Sequence, residues 1–330
     1  MNDNVTYLQP AETPSIAPIV AADRAFSSAW QQGGLKFAPR LQEGLERHMR
    51  LIDGCRQRMA GNAQRLAAEL TSDPLADIID AMGAGDDLDF IGLAGETRDA
   101  VLRLLGKLSG NLASERHALA ALPALDAAVD KQRLLKLQQN NTATRQQLAE
   151  EHVREASRAE RMAKAIATLE ANGLETRFGG VVPSLGDLQK LAAPGGEALV
   201  AAETLSKAVE ELEVLLGDLI EGMRYAQLQR ERRTVRERVT ELASQLRQFD
   251  QAQLELSQKI AALDELPRLL ELCQGWDGAI SALCHSLESR QARIANQALA
   301  NAGDIAALAQ EFASLLAFIR TLLEQDRRAL

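Results

Sequence analysis

Aromatic residues are scarce in this 330-residue chain: seven phenylalanines, two tryptophans and two tyrosines. Strands favour aromatic and β-branched residues, so a sandwich, a barrel and a doubly wound α/β sheet are all excluded as first expectations. Proline is rarer still, at nine residues. Cysteine is nearly absent, with three residues and no CxxC, so a disulfide framework has nothing to build on. Cys273 and Cys284 would stand about 16 Å apart along one helix, too far for a bridge. Basic charge is short as well: 37 Lys and Arg against 46 Asp and Glu give −9, the wrong sign for a general nucleic-acid binder. No run approaches the roughly 18 apolar residues of a single spanning helix; the most apolar stretch, Ile305 to Ile319, is broken by Gln310 and Glu311. The first twenty residues lack the basic region and apolar core of a cleavable leader. A soluble protein is expected. What is abundant is alanine, 55 residues, and leucine, 52, which head the helix-propensity ranking. The chain reads as all-α.

Residues 1–25, with Pro10, Pro14 and Pro18, read as a flexible arm. A first helix is expected from about Pro39 to Leu70, on the spacing of Leu41, Leu45, Met49, Ile52, Met59 and Leu66. Asp73 before Pro74 reads as the cap of a short helix. Two stretches then dominate. Residues 124–172 and 223–266 contain neither Gly nor Pro over 49 and 44 positions, enough for rods of roughly 65 to 75 Å. In the second, Leu228, Val235, Leu242, Phe249, Leu256 and Leu263 recur every seven residues, with Val239, Leu246 and Ile260 four positions on. That repeat argues for coiled-coil packing. In the first, Leu134, Asn141, Leu148, Glu155, Met162 and Leu169 share one phase, beside Ala159 and Ile166. Its ends are apolar and its middle polar.

Between the rods, residues 179–196 hold five glycines and two prolines, so the chain turns there into an antiparallel hairpin. Residues 197–221 form a separate amphipathic stretch. After the second rod, Pro267 and Gly275 to Gly278 punctuate the chain, with helices expected near 279–300 and 304–328, the latter capped by Asp304. The expected fold is an elongated all-α bundle: a tail of 26–123 and 267–330, a stalk of 124–172 and 223–266, and a small helical head of 173–222 at the hairpin tip.

No P-loop, GxGxxG, HExxH or GxSxG is present, and the four histidines are scattered. Cys284 and His285, adjacent on a helix, point about 100° apart, a poor nucleophile and base. No enzyme, catalytic residue, metal or cofactor is expected. Asp73, Asp77, Asp80, Asp86, Asp87 and Asp89 lack the spacing of a calcium loop. The run from Arg230 to Arg238 holds five arginines. It reads either as a patch for phosphate or anionic lipid or as a solvated face paired with Glu150, Glu151 and Glu155. The interleaved Glu231 and Glu237 favour the solvated face.

The hairpin tip carries Val181, Val182, Leu185, Leu188, Leu191, Leu199 and Val200, followed by Leu205, Val209, Leu212, Leu216, Leu219 and Ile220. Two readings stay open, a cap folded on itself and a membrane-seeking head. Residues 199–220 would span about 33 Å as a helix, close to the bilayer's hydrocarbon thickness. Gly179, Gly180, Gly186, Gly195 and Gly196 are the candidate hinges.

Two termini building one tail, two rods and a head inserted mid-chain resemble the cytolysin A-like α-helical pore-forming toxins, and more narrowly the B component of the alpha-xenorhabdolysin-type binary toxins. The resemblance implies assembly with a second toxin component of related architecture into an oligomeric pore in a target-cell membrane, after the head rearranges. It implies a protein released or secreted without a cleavable leader and soluble until it meets that membrane, with the tip residues and the helix beyond them as the membrane-contacting set. A coiled-coil scaffold or adaptor whose tip binds a protein is the alternative.

Overall fold

The computed structural model describes residues 13–82, 87–173, 177–184, 186–188, 196–217, 220 and 222–328. Its helices are α1 (Ala17–Gln32), α2 (Pro39–Thr71), α3 (Ala76–Met82), α4 (Asp87–Ala120), α5 (Ala128–Ala171), α6 (Gly196–Leu216), α7 (Tyr225–Asp264), α8 (Leu266–Ala295) and α9 (Ala302–Arg328). Among the described residues, extended pairing is limited to an isolated antiparallel bridge between Val181 and Arg224. The all-α expectation holds. The chain forms two units, one of Met1–Gln132 with Lys259–Leu330 and one of Arg133–Gln258.

In the first unit α2 packs against α1, α4 and α9, and α8 packs against the same three helices. Leu41, Leu45, His48, Ile52, Cys55, Met59, Ala63, Leu66 and Leu70 are buried along α2; steps of three and four residues keep them on one side of the helix. Trp276 of α8 is fully buried in the same core.

Four local expectations need correction here. Residues 17–25 are not an arm but the first turns of α1, with Ile16, Ile19, Val20 and Phe26 buried. Pro18 sits in the opening turn, where its missing N–H costs nothing, and the Ile16 N–H donates to Gln325 Oε1 at 3.0 Å. Asp73 does not cap a helix: it has φ 47°, and α3 starts only at Ala76. Pro267 starts α8 rather than ending anything, and Gly275 and Gly278 lie inside that unbroken helix, where buried Trp276, Ile280 and Leu283 outweigh glycine's low propensity. Finally, α9 is capped by Asn301, whose Oδ1 accepts the Asp304 N–H at 3.0 Å.

One more expectation fails on composition. Among the described residues α9 is the one helix long and apolar enough to cross a bilayer. Counting uninterrupted runs missed it because alanines carry the average past Gln310 and Glu311. Its Ile305, Leu308, Phe312, Leu315, Phe318, Ile319 and Leu322 are buried within the first unit, as in a core helix.

A charged clamp ties three of these helices. Arg56 donates from Nη1 to Asp23 Oδ2 at 2.7 Å and from Nε to Asp326 Oδ1 at 2.8 Å, and the three side chains are only 11%, 11% and 14% exposed. Burial opposes the Arg56 charge, yet its hydrogen bonds to Asp326 and Asp23 outweigh burial and raise its pKa. Arg56→Ala should therefore cost about 3 kcal/mol in urea unfolding, because two carboxylates lose their cation. Arg50→Ala, whose side chain is mostly exposed beside Glu46, should stay within about 0.5 kcal/mol. Equal losses would mean that the clamp adds nothing.

In the second unit α5 and α7 run antiparallel. Gln138 donates to Ser257 at 3.1 Å, Arg145 to Asp250 at 2.5 Å, Arg238 to Glu151 at 2.7 Å and Gln229 to Glu170 at 2.9 Å; partners descend along α7 as they ascend along α5. The heptad reading of α7 holds in part. Leu228, Val235 and Leu242 are buried, whereas Val239, Leu246, Phe249 and Leu256 are half-buried, since a two-helix pair leaves its seam partly open. Residues 142–147 of α5 are exposed, as its polar middle implied. Leu242→Ala should cost about 3 kcal/mol and Arg236→Ala under about 0.5 kcal/mol. Leu246→Ala, expected from the repeat to match Leu242→Ala, should fall well short of it, and a chemical melt separates the three.

Candidate functional site

The head is built on glycine turns. Gly179 and Gly180 have φ of 59° and 73°, a region costly for any residue with a Cβ. They bring the chain round so that Val182 N–H donates to Met223 O at 2.9 Å and Tyr225 N–H to Gly180 O at 2.8 Å. These two bonds close the base of the loop that contains α6. At the other end of α6, the Gly217 N–H returns to Glu213 O at 2.7 Å with φ 81°, a left-handed stop.

Inside this loop lies an apolar cluster. Met162, Ala165, Ile166 and Leu169 of α5 meet Val182, Leu188, Leu205, Ala208, Val209, Leu212 and Ile220, closed by Leu228 and Val235 of α7. α6 supplies the Leu205, Ala208, Val209, Leu212 stripe, again at three- and four-residue spacing. Polar ties reinforce it. Arg158 Nη2 donates to the Leu215 carbonyl at 3.0 Å, taking up one of the free carbonyls that end a helix. Arg161 pairs with Glu211, holding the Glu211 carboxyl below its ordinary pKa. Tyr225 donates its hydroxyl to Glu170, which raises the phenol's pKa.

The structure sorts the candidate residues by burial. Val182, Leu188, Leu205, Val209, Leu212 and Ile220 are buried together and Leu216 is half-buried. Of the two readings of the tip, this structure has the folded cap, with α5 and α7 supplying much of its core. Val181 and Val200 are 37% and 64% exposed. Leu185, Leu191, Leu219 and Gly195 lie outside the described residues, and of Leu199 only the backbone is described. Gly186 has no positive φ, and Gly196 is the first residue of α6.

Sequence reasoning missed three things. Val214 is 74% exposed on the outer face of α6, fourteen positions beyond Val200 and in the same phase, with the Lys207–Glu203 pair between them. That spacing was visible. Gly217 and Gly222, with φ of 81° and 78°, flank Ile220 and are the left-handed positions at the exit of α6. Their signal was a lone glycine after an apolar helix.

Among the described residues, two of the groups weighed for chemistry in the sequence stand apart from one another. His48 is stacked on Phe26 with Nδ1 2.8 Å from Gly44 O. Cys284 is buried, its thiol pKa raised by desolvation, while His285 beside it is exposed. What the site offers instead is an apolar cluster held shut by a few polar ties and flanked by left-handed glycines.

Two termini in one helical unit and a second unit with a helical head define an all-α class known from solved structures. The chain shares its fold with PaxB from Photorhabdus luminescens, at TM-score 0.74 and 15% identity over 96% of this chain and 98% of that one. It shares it equally with XaxB from Xenorhabdus nematophila, at TM-score 0.78 and 12% identity over 95% and 98%. A chain of the XaxAB pore complex from the same organism matches at 0.63 and 12% identity over 96% and 99%. No protein-family model and no curated protein matches the sequence. The fold expected from the resemblance is the fold observed.

Proposed function

We propose that this chain is one component of a two-component α-helical pore-forming toxin, assembling with a second component into an oligomeric pore in a target membrane. The observation that carries the reading is the end-to-end match to XaxB and to a chain of the XaxAB pore complex, which leaves almost no part of either chain unmatched. The head supports it physically. Leu205, Val209, Leu212 and Leu216 make one apolar face on α6, and Glu203, Lys207 and Glu210 stand on its exposed side. A helix of this kind meets lipid with one face and a water-filled lumen with the other, where charge is tolerated. For that, α6 leaves its cluster, turning about Gly179 and Gly180 at one end and Gly217 and Gly222 at the other. The chain reaches its membrane as a soluble, non-enzymatic protein.

Dye release from liposomes tests the proposal. The purified chain alone should release little, and addition of a partner of similar architecture should produce rapid release. Absence of release with every such partner would return the chain to the scaffold reading.

A further inference from the structure

The arginine run of α7 was expected to pair with acids on its neighbour, and among the described residues only Arg238 does so, with Glu151; its other partner, Glu241, is on α7 itself. Arg230, Arg233, Arg236 and Arg247 are exposed, and among the described residues none of them forms an ion pair. Residues 230–247 carry six arginines against Glu231, Glu237 and Glu241, in a chain of net charge −9. At 100° per residue, Arg233 lies about 160° from buried Val235. Arg230 and Arg236 stand to either side of it, so the row points away from the apolar cluster. It is the one strongly basic face on this unit's α7, and the fold gives it nothing to do.

We propose that this face docks on the headgroups of anionic phospholipids and holds the second unit against the membrane before the head opens. The inference rests on the pore-forming reading for its target. A guanidinium is always charged and pairs with phosphate through two parallel N–H bonds. Over residues 230–247 and within about 60° of Arg233, the face carries Arg230, Arg236, Arg247, Thr240 and a single acid, the exposed Glu237, and no large apolar side chain, whereas the centre of a protein interface is apolar and depleted of charge. A layer of phosphates fits it better than a protein does. Each basic residue near an anionic surface strengthens binding about fivefold, so three contribute roughly a hundredfold at physiological salt.

Co-sedimentation of the purified chain, without partner, with phosphatidylcholine vesicles containing or lacking phosphatidylserine tests this. Binding should be at least tenfold stronger to the phosphatidylserine vesicles and should weaken as salt rises. The triple variant Arg230→Gln, Arg233→Gln, Arg236→Gln should lose the preference with unchanged circular dichroism, and lysine at the same positions should restore most of it. Equal partition into both vesicles, or no binding to either, overturns the inference. So does a triple variant that keeps its membrane preference but fails to associate with a second protein in ultracentrifugation, since the face then serves an interface. None of these failures touches the pore-forming reading, which dye release from neutral vesicles with a partner tests separately.

Discussion

A cross-link between α5 and α6 should abolish dye release while leaving the second unit folded. Arg161 and Glu211 pair across these helices in the closed head, so cysteines placed there lie within reach of a short, reducible bis-methanethiosulfonate. Cys273, the one native cysteine that is not buried, would be replaced by Ser to keep the reaction specific. The expectation follows from burial. Leu205, Val209 and Leu212 are almost fully enclosed by α5 and α7, and a side chain cannot contact lipid from inside a protein core. A tether at the outer ends of the ion pair leaves that core intact and forbids its opening. Tethered protein should bind its partner yet release no dye, and reduction should restore release. The unlinked double-cysteine protein should behave as the parent, because the replaced pair is exposed and contributes little. If the tethered protein lyses as fast as the reduced one, the head does not open, and contact must come from residues already outside, such as Val181, Val200 and Val214.

How far these features could be read beforehand depended on whether local pattern or distant packing decides them. The rods were legible because runs without Gly or Pro carry their own instruction to stay helical, and α5 and α7 end within a few residues of the expected bounds. Pro18 and Gly275 misled for a related reason. Both are breakers by propensity, but an opening turn forgives proline and a buried neighbour such as Trp276 forgives glycine. The enclosure of Val182 and Leu188 was not legible, since it depends on Met162 and Ile166 standing opposite, and no spacing within 179–196 encodes that. The arginine run shows the same limit. Its composition was plain, but which arginines find a carboxylate depends on rotation of α7 against α5, and that places only Arg238 beside Glu151.

Leu212→Asp and Val214→Asp, two residues apart on α6, should have opposite consequences. If Leu212 faced lipid, as the resemblance implies, an acid there would cost about 2.5 to 3.5 kcal/mol near mid-bilayer. The structure moves the damage earlier. Leu212 is fully buried between α5 and α7, so removing it loses about 2 to 5 kcal/mol of packing, and a carboxyl with no partner there adds a further penalty of about 1 to 3 kcal/mol. About 5 kcal/mol is a large part of the stability of a unit this size, and urea unfolding should show the second unit collapsing while the first keeps its transition. Leu212→Met, which conserves volume, should stay within about 1.5 kcal/mol and keep dye release. Val214, at 74% exposed, has no core to lose, and Val214→Asp should change stability by under about 0.5 kcal/mol. Its effect belongs to the pore. The outer face already holds Glu203, Lys207 and Glu210; under the proposed opening it would meet the lumen, and one more acid there should raise cation selectivity in planar bilayers without slowing release. Abolished release from a fully stable Val214→Asp protein would reverse the assignment. The outer face would then be the one that enters lipid, and the buried stripe of Leu205, Val209 and Leu212 would be a permanent core.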